Sequence, residues 1–131
     1  ECFGSMDAPY DESSRPPRAV NISFDTAFKR PLLVESRYPV SFSAQKVATA
    51  ALVSQAFRRQ FVWFCDWVNS LEEFNLLDEC DQMIIARRTA HMHGWLSHSF
   101  FSALTKEEGL VLNNGTVVPY DDAKKCPISG D

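Results

Sequence analysis

The residues best suited to metal chemistry are three histidines that lie close together, His91, His93 and His98. Zinc needs ligands that converge on one point, and imidazole nitrogens are among its usual donors. In a helix, His91 and His93 would point in different directions, whereas His91 and His98 would share a face without an obvious third ligand. We therefore expect structural or solvent-exposed histidines and no metal site.

The four cysteines, Cys2, Cys65, Cys80 and Cys126, are widely scattered, and none stands in the Cys-x-x-Cys spacing of zinc and redox sites. The wide separation of the four cysteines favours reduced, unpaired thiols. No Ser-His-acid or Cys-His arrangement stands at readable spacing, and no glycine-rich loop follows a predicted strand. The sequence therefore predicts a protein that is not an enzyme and that needs no cofactor.

The composition narrows the class of protein further. The chain has 131 residues, 45% of them hydrophobic, which is enough for one buried core. Its formal net charge of −4 argues against non-specific binding to nucleic acid, which depends on clustered Lys and Arg. No stretch approaches the ~20 apolar residues of a bilayer span. We expect one domain that by itself binds neither nucleic acid nor a membrane.

The elements that must position these side chains are mostly helical. Ser23 is a potential cap for a short helix that ends before Pro31, and residues 32–42 follow in an extended conformation. From Ser43, a second potential cap, apolar residues recur at the spacing of one helix face to about Ser70. This pattern predicts one long helix of roughly 40 Å.

Asp78 is the potential cap of the next helix, predicted over residues 79–104. Its apolar residues cover more than one face, and such a helix is normally buried on both sides as the middle layer of a sandwich. Gly94 within it indicates close packing against a neighbour. Beyond it, residues 110–112 and 116–118 flank an Asn-Gly pair, which predicts a β-hairpin.

The two ends of the chain differ in composition from the middle. Residues 1–22 combine prolines with acidic residues and serines, and residues 122–131 have little to bury. We predict a disordered linker over 1–22, one folded domain over 23–121 and a disordered tail over 122–131. Because the sequence begins with Glu1 instead of Met, we also expect it to be part of a longer protein.

The run from Trp67 to Ile85 resembles the signature of nuclear receptor ligand-binding domains. In that family an aromatic residue closes the third helix, a Leu-x-x-Phe-x-x-Leu bend follows, and Asp-Gln opens the fourth helix. The residues in this register are Trp67, Leu71, Phe74, Leu77, Asp81 and Gln82. The similarity covers roughly residues 23–121, and the segments 39–43, 94–95 and 115–120 are similar to nematode receptors in particular.

The resemblance implies an all-α fold, the N-terminal half of the receptor's helical sandwich with one small β-hairpin, truncated after that hairpin. Leu71, Phe74 and Leu77 of the bend would turn inward, and Gln82 would hydrogen-bond across to the long helix. With the covering helices absent, an apolar patch would be exposed, and the fragment would aggregate, dimerise or be partly ordered. This patch would include Trp95, Phe100 and Phe101.

The resemblance also implies a groove that binds an amphipathic coregulator helix. The residues implied for this groove are Cys65, Asn69, Gln82, Met83, Ala86 and Arg87. The family usually has a lysine where Asn69 stands, so one of the two charges that clamp the partner helix is weakened here. Arg87 occupies the second basic position. The alternative is that these residues form a solvated surface with a few core contacts.

A cavity for a small lipophilic ligand is the second implied site. The residues that would face it are Val53, Phe57, Gln60, His91, Trp95, His98 and Phe101. The alternative is that the aromatic side chains of this set occupy the space themselves and form solid core. Phe101 stands where some receptors place an arginine that holds a ligand carboxylate, so an acidic ligand would lack that anchor.

The resemblance thus implies a regulatory, ligand-binding domain of a nuclear hormone receptor transcription factor that acts in the nucleus. Its partners would be a small lipophilic ligand, coregulator proteins and a receptor dimer partner, and a separate zinc-finger domain would contact DNA. The alternative function is a truncated protein-interaction module that senses no ligand.

Overall fold

The computed structural model describes residues 22–125, so that all but the last residue of the predicted linker, and residues 126–131 of the predicted tail, lie outside the described range. The described residues form a mainly helical fold with one small sheet. Its elements are α1 (Phe24–Lys29), β1 (Ser41–Val47), α2 (Ala50–Asn69), α3 (Glu72–Asn75), α4 (Glu79–Thr105), β2 (Gly109–Val111) and β3 (Asn114–Pro119), with 3-10 turns at Pro31–Leu33 and Asp122–Lys124. The sequence predicted an all-α fold with one small β-hairpin, but the sheet has three strands, so the fold is not purely all-α.

Side-chain caps set where the first two helices begin. The Ser23 hydroxyl accepts a hydrogen bond from the Thr26 N–H at 3.2 Å, which confirms the predicted cap of α1. The long helix begins later than predicted, because Thr49 and not Ser43 is its cap, accepting from the Leu52 N–H at 3.3 Å. The 20 residues of α2 span about 30 Å, so the predicted length of 40 Å was wrong.

The residues predicted to form the first turns of that helix instead form the strand β1. This strand pairs in parallel with β3, and β2 pairs with β3 in antiparallel orientation. The register along β1 is irregular, because Ser41 lies opposite Asn114 and Lys46 lies opposite Thr116. Between them, Ala44 has a φ of 50°. Two parallel strands are joined by a long crossover and not by a tight turn, so the sequence next to β1 contains no turn signal that predicts this pairing.

The predicted hairpin is confirmed as the β2–β3 pair. Gly115 has a φ of 79°, a conformation that glycine adopts without strain from a Cβ atom. Next to it, the Leu112 N–H donates to the Thr116 carbonyl at 2.9 Å and closes the turn. The Asn-Gly pair thus has the role that the sequence predicted, with β1 as an additional third strand.

The bend between the long helices follows the prediction in part. Phe74 is buried and Leu71 half-buried, but Leu77 is 36% exposed, so its predicted inward orientation was wrong. The Gln82 side chain donates to the carbonyls of Phe74 at 3.0 Å and Leu77 at 3.2 Å. It therefore binds the bend and not, as predicted, the long helix. These carbonyls lie just before α4, within easier reach of the start of that helix.

The start and end of α4 agree well with the prediction. The Asp78 carboxylate accepts from the Asp81 N–H at 2.9 Å, and the helix ends at Thr105 where Lys106 adopts a φ of 58°. Gly94 is buried, and a Cβ atom placed on it would lie 3.2 Å from Cγ of Gln60 on α2. This distance confirms the predicted close packing of the two helices.

Only one face of α4 is buried within residues 22–125, so the prediction of a middle layer was wrong for the part of the chain described. The buried residues are Ala86, Gly94, His98 and Ser102, whereas the exposed large side chains of the helix are Ile84, Ile85, Met92, Trp95, Leu96, Phe100 and Leu104. Exposure of Trp95 and Phe100 was predicted. Phe101 is instead half-buried, because its ring stacks on that of Phe42 at a centroid distance of 4.0 Å.

The main apolar core lies where α1, α2, α3 and α4 meet. It is one cluster of buried residues, Phe28, Phe64, Cys65, Val68, Phe74 and Ala86. The core therefore forms at one end of the α2–α4 pair, and the small sheet lies at the other. No helix among the described residues combines the length and apolar character that a bilayer span requires.

Candidate functional sites

The six residues predicted to bind a coregulator helix lie where the end of α2 meets the start of α4. We call this set, Cys65, Asn69, Gln82, Met83, Ala86 and Arg87, the α2/α4 groove. Cys65 and Ala86 are 1% and 0% exposed within the main core, and Met83 packs against that core. Asn69 and Arg87 are exposed and Gln82 is half-buried. The groove thus has an apolar floor and a polar rim.

The polar rim is partly occupied by local hydrogen bonds. The side-chain amide of Asn69 donates to the backbone carbonyl of Cys65 at 2.8 Å, and the backbone carbonyl of Asn69 accepts from the Asn75 side chain at 2.8 Å. A neutral amide used in this way does not provide the charge of the lysine that the family usually has at this position. Arg87 is therefore the basic residue of the groove.

Burial also determines the chemistry of the groove thiol. Desolvation raises the pKa of Cys65 to about 12, with a further rise from the neighbouring Asp66 carboxylate. The thiol is thus protonated at neutral pH and is a poor nucleophile. Cys80, in contrast, is exposed. Within residues 22–125 no group of His, Cys, Asp and Glu side chains has the arrangement of a metal site.

Helix α1 packs against the core cluster that also contains the groove residues Cys65 and Ala86. Its residue Phe28 is 6% exposed and belongs to the same buried cluster as Cys65 and Ala86. The Phe28 ring centroid lies 6.5 Å from that of Phe64 and 6.1 Å from that of Phe74. One helix of the chain therefore already packs against the core that lies beneath the predicted groove.

A second phenylalanine and two charges complete the contact of α1. The Phe24 ring lies 5.6 Å from Phe61, and the Arg87 guanidinium lies 5.7 Å from the centre of the Phe24 ring. Arg87 also donates to the Asp25 carboxylate. At the other end of α1, Lys29 forms an ion pair with Glu79, which raises the pKa of Lys29. The direction of α1 across the groove is thus set by charges at both of its ends.

The residues predicted to face a ligand cavity lie between α2 and α4, toward the sheet. The Phe57 ring lies 5.3 Å from Trp95 and 5.1 Å from His98, and Phe101 stacks on Phe42. Val53 is half-buried, whereas Gln60 and His98 are buried. The structure therefore brings Phe57, Trp95 and His98 together through ring contacts, whereas the ring partner of Phe101 is Phe42.

His91 is the exception, because it is exposed, and His93 contacts α2 in its place. The His93 Nδ1 atom lies 3.1 Å from the Gln60 amide nitrogen, and its ring stacks on Trp67 at a centroid distance of 4.9 Å. Burial lowers the pKa of His93. The adjacent Gly94 was the signal in the sequence, since the small residue marks where α4 approaches α2.

Asn113 belongs to this region, although nothing in its local sequence predicted a role there. Its side chain donates to the Ala56 carbonyl at 2.9 Å and lies 3.4 Å from Nε2 of His98. Burial lowers the pKa of His98, so this ring is kept neutral. Within the described residues, the buried side-chain atoms without a hydrogen-bond partner are Gln60 Oε1, His98 Nδ1 and Asn113 Oδ1.

These features define a nuclear-receptor type of domain: a long helix, a signature bend bound by Gln82, a second long helix and a small sheet. Residues 40–129 match the family described as the ligand-binding domain of nuclear hormone receptor. The chain therefore belongs to this family.

Relatives in Caenorhabditis elegans agree with the resemblance to nematode receptors. The nuclear hormone receptor family member nhr-4 is 33% identical over 96 residues, which is 73% of this chain and 20% of that protein. The family member nhr-61 is 35% identical over 97 residues, 73% of this chain and 23% of that protein. The chain thus spans about a fifth of the length of these curated relatives. No solved structure matches the chain.

Proposed function

We propose that the chain is a regulatory domain of a nuclear hormone receptor transcription factor and that its α2/α4 groove binds helices of coregulator proteins. The observation that carries this proposal is that an amphipathic helix, α1, packs its apolar face against the core cluster of Cys65 and Ala86 and pairs with Arg87 of the groove. Grooves of this kind recognise apolar anchors at helical spacing. In the whole receptor, we propose that a separate zinc-finger domain contacts DNA in the nucleus and that a receptor partner completes a dimer.

Binding at this groove would depend on Arg87 and the apolar floor more than on a two-ended charge clamp. Asn69 is neutral and hydrogen-bonded within its own helix. Arg87 is exposed and already binds the carboxylate of Asp25. A partner helix with an acidic residue at the equivalent position would use Arg87 in the same way.

A small lipophilic ligand is a further part of the proposal, bound between α2 and α4 near Phe57. The support is chemical, because aromatic rings lie beside three buried polar atoms that lack partners. Cavities for small molecules are mostly apolar with a few polar groups that orient the ligand. The amide oxygens of Gln60 and Asn113 accept hydrogen bonds, so the fitting ligand is neutral and carries a donor such as a hydroxyl.

The second candidate function is a protein-interaction module that senses no ligand. The contacts among Phe57, Trp95 and His98, and the stacking of Phe101 on Phe42, favour it. These rings occupy space that a ligand would otherwise use. The two candidates differ in whether a lipophilic compound changes the binding of a partner helix.

The test measures fluorescence anisotropy of a labelled helical peptide with leucines at positions i, i+3 and i+4 and an acidic residue at each end. Restoring the missing charge with Asn69→Lys should tighten binding several-fold. The matched control is Ser54→Lys, which adds the same charge to the exposed side of α2 at 15 residues' distance, about 22 Å along the helix. Equal affinities for the two variants, or no binding to any form of the chain, would contradict the proposed groove.

Repeating the titration with dodecanol, a lipophilic alcohol, separates the two candidate functions. A change in peptide affinity that disappears in a Gln60→Leu variant supports the ligand-sensing domain. An affinity that does not depend on dodecanol supports the ligand-independent module.

A further inference from the structure

We infer that α1 is an internal ligand of the α2/α4 groove, meaning a segment of the same chain that occupies the site and must leave before a partner helix binds. This inference rests on the proposed function of the groove. The relevant residues of α1 are Phe24, Ala27 and Phe28, at positions i, i+3 and i+4. Ala27 and Phe28 are 7% and 6% exposed, and Phe24 is half-buried. This is the spacing by which an amphipathic helix binds a groove.

The charges of α1 complement those of the groove in a directional way. Asp25, in its first turn, pairs with Arg87, and Lys29, in its last turn, pairs with Glu79. All four side chains are about half exposed or more, so these pairs contribute orientation more than stability. A competing partner is therefore a helix with an acidic residue at i+1, a basic residue at i+5 and apolar residues at i, i+3 and i+4.

The length of α1 means that the segment does not persist as a helix once it leaves its packing partners. It has six residues, whereas isolated helices shorter than about 12 residues are marginal in water. Its helical form therefore depends on the groove contacts. Once it leaves, the conformational entropy that it regains favours the open state. The matched family region begins at residue 40, so α1 lies outside it.

The segment that follows α1 is held on α2 by contacts of its own. Arg37 donates two hydrogen bonds to Asp66, at 2.6 and 2.8 Å, and the Arg37 carbonyl accepts from Trp63 at 3.4 Å. Glu35 pairs with Arg58 at 3.4 Å. Because these contacts do not involve α1, the helix can leave the groove while its connection to α2 remains.

This arrangement makes binding of a partner helix competitive. A tethered segment acts at an effective concentration that is in the millimolar range for short flexible linkers. The apparent affinity of a partner is lowered by the fraction of molecules in which the groove is open. A partner that binds the aromatic face of α1 would therefore raise the apparent affinity of the groove for a coregulator helix, because it would keep α1 out of the groove.

The experiment compares two substitutions in α1 of the full chain, Phe24→Asp on the groove face and Thr26→Asp on the exposed face of the same helix. Phe24→Asp should bind the leucine peptide at least tenfold more tightly than the wild type, whereas Thr26→Asp should bind like the wild type. Hydrogen exchange of the wild type provides a second measurement. The α1 amides should exchange at least a hundredfold faster than those in the middle of α2.

A labelled peptide of residues 22–31 separates failure of this inference from failure of the proposed function. If this peptide binds the Phe24→Asp variant but the leucine peptide does not, α1 is a detachable occupant and the coregulator function fails. If the leucine peptide binds the wild type and Phe24→Asp equally, the inference fails and the groove function stands. If neither peptide binds and α1 exchanges as slowly as α2, α1 is a permanent part of the core and the inference is overturned.

Discussion

The two ends of the α2–α4 helix pair differ in chemistry. At the end covered by α1, the buried side chains are almost entirely apolar, with Phe28, Phe64 and Phe74 at the centre. At the end next to the sheet, the buried side chains include His98, Ser102, Asn113 and Thr116. The polar end also contains the three unpartnered polar atoms, whereas the apolar cluster contains none of these.

This difference assigns separate roles to the two ends. Apolar packing stabilises a fold without a need for partners, while a buried polar group costs free energy unless it is hydrogen-bonded. Apolar packing among α2, α3 and α4 therefore stabilises this end of the fold even without α1, and the polar end holds the site proposed above for a small molecule. Substitutions at matched positions should reveal this division.

The largest expected effect is that of Phe64→Ala at the apolar end. Phe64 is fully buried, so its truncation should lower the free energy of unfolding by about 3–5 kcal/mol, measured by urea denaturation. The control is Phe100→Ala, at a side chain that is 60% exposed, which should change stability by less than about 0.5 kcal/mol. Similar losses in both variants would show that the apolar end is not the stabilising one.

A smaller effect is expected where the two ends meet, at Gly94. A Cβ atom there would already lie 3.2 Å from Cγ of Gln60, so Gly94→Val should force α2 and α4 apart. We expect the free energy of unfolding, measured by urea denaturation, to fall by about 1–3 kcal/mol. Gly94→Ala should cost less, because its gain in helix propensity offsets part of the tight contact. A Gly94→Val protein as stable as the wild type would contradict the close approach of the helices.

The polar end should make stability depend on pH. Burial lowers the folded-state pKa of His98 and of His93 below the ordinary value of 6.5. In acid the unfolded chain therefore binds more protons than the folded one, so this stability is complete above about pH 6.5 and is lost as the pH falls toward the folded pKa values. Thermal unfolding between pH 7.5 and 5 should show a shallower decline for His98→Leu, while His91→Gln should keep the wild-type profile. An unchanged profile in His98→Leu would exclude this ring as the cause.

The smallest effect on stability is expected on the bare face of α4. Leu96 is 70% exposed, so Leu96→Lys should change the free energy of unfolding by less than about 0.5 kcal/mol. It should, however, reduce self-association in size-exclusion chromatography and the binding of a dye for exposed apolar surface. Ser54→Lys is the charge-matched control. If the wild-type chain elutes as a monodisperse monomer and gives no dye signal, the exposed face of α4 does not cause self-association and the prediction is wrong.

Much of the helical framework was predictable because its signals are local. The caps Ser23 and Asp78 and the Asn-Gly turn each act within a few residues of the chain. The apolar spacing of α2 likewise predicted its course to the C-terminal end. The start of α2 was predicted wrongly because residues 43–47 match a helical spacing as well, and only their parallel partner β3 selects a strand.

The sites depended on the tertiary structure to a greater extent. The periodicity of α4 predicted apolar surface on several sides, but packing against α2 selected the face with the smallest side chains, such as Gly94, and turned His93 instead of His91 toward Gln60. The sequence alone determined which helices form, where they are capped and which family the chain resembles. Only the tertiary structure decided that α1 packs on the core beside Arg87 and that Asn113 reaches His98, because contacts between residues distant along the chain depend on how whole elements pack.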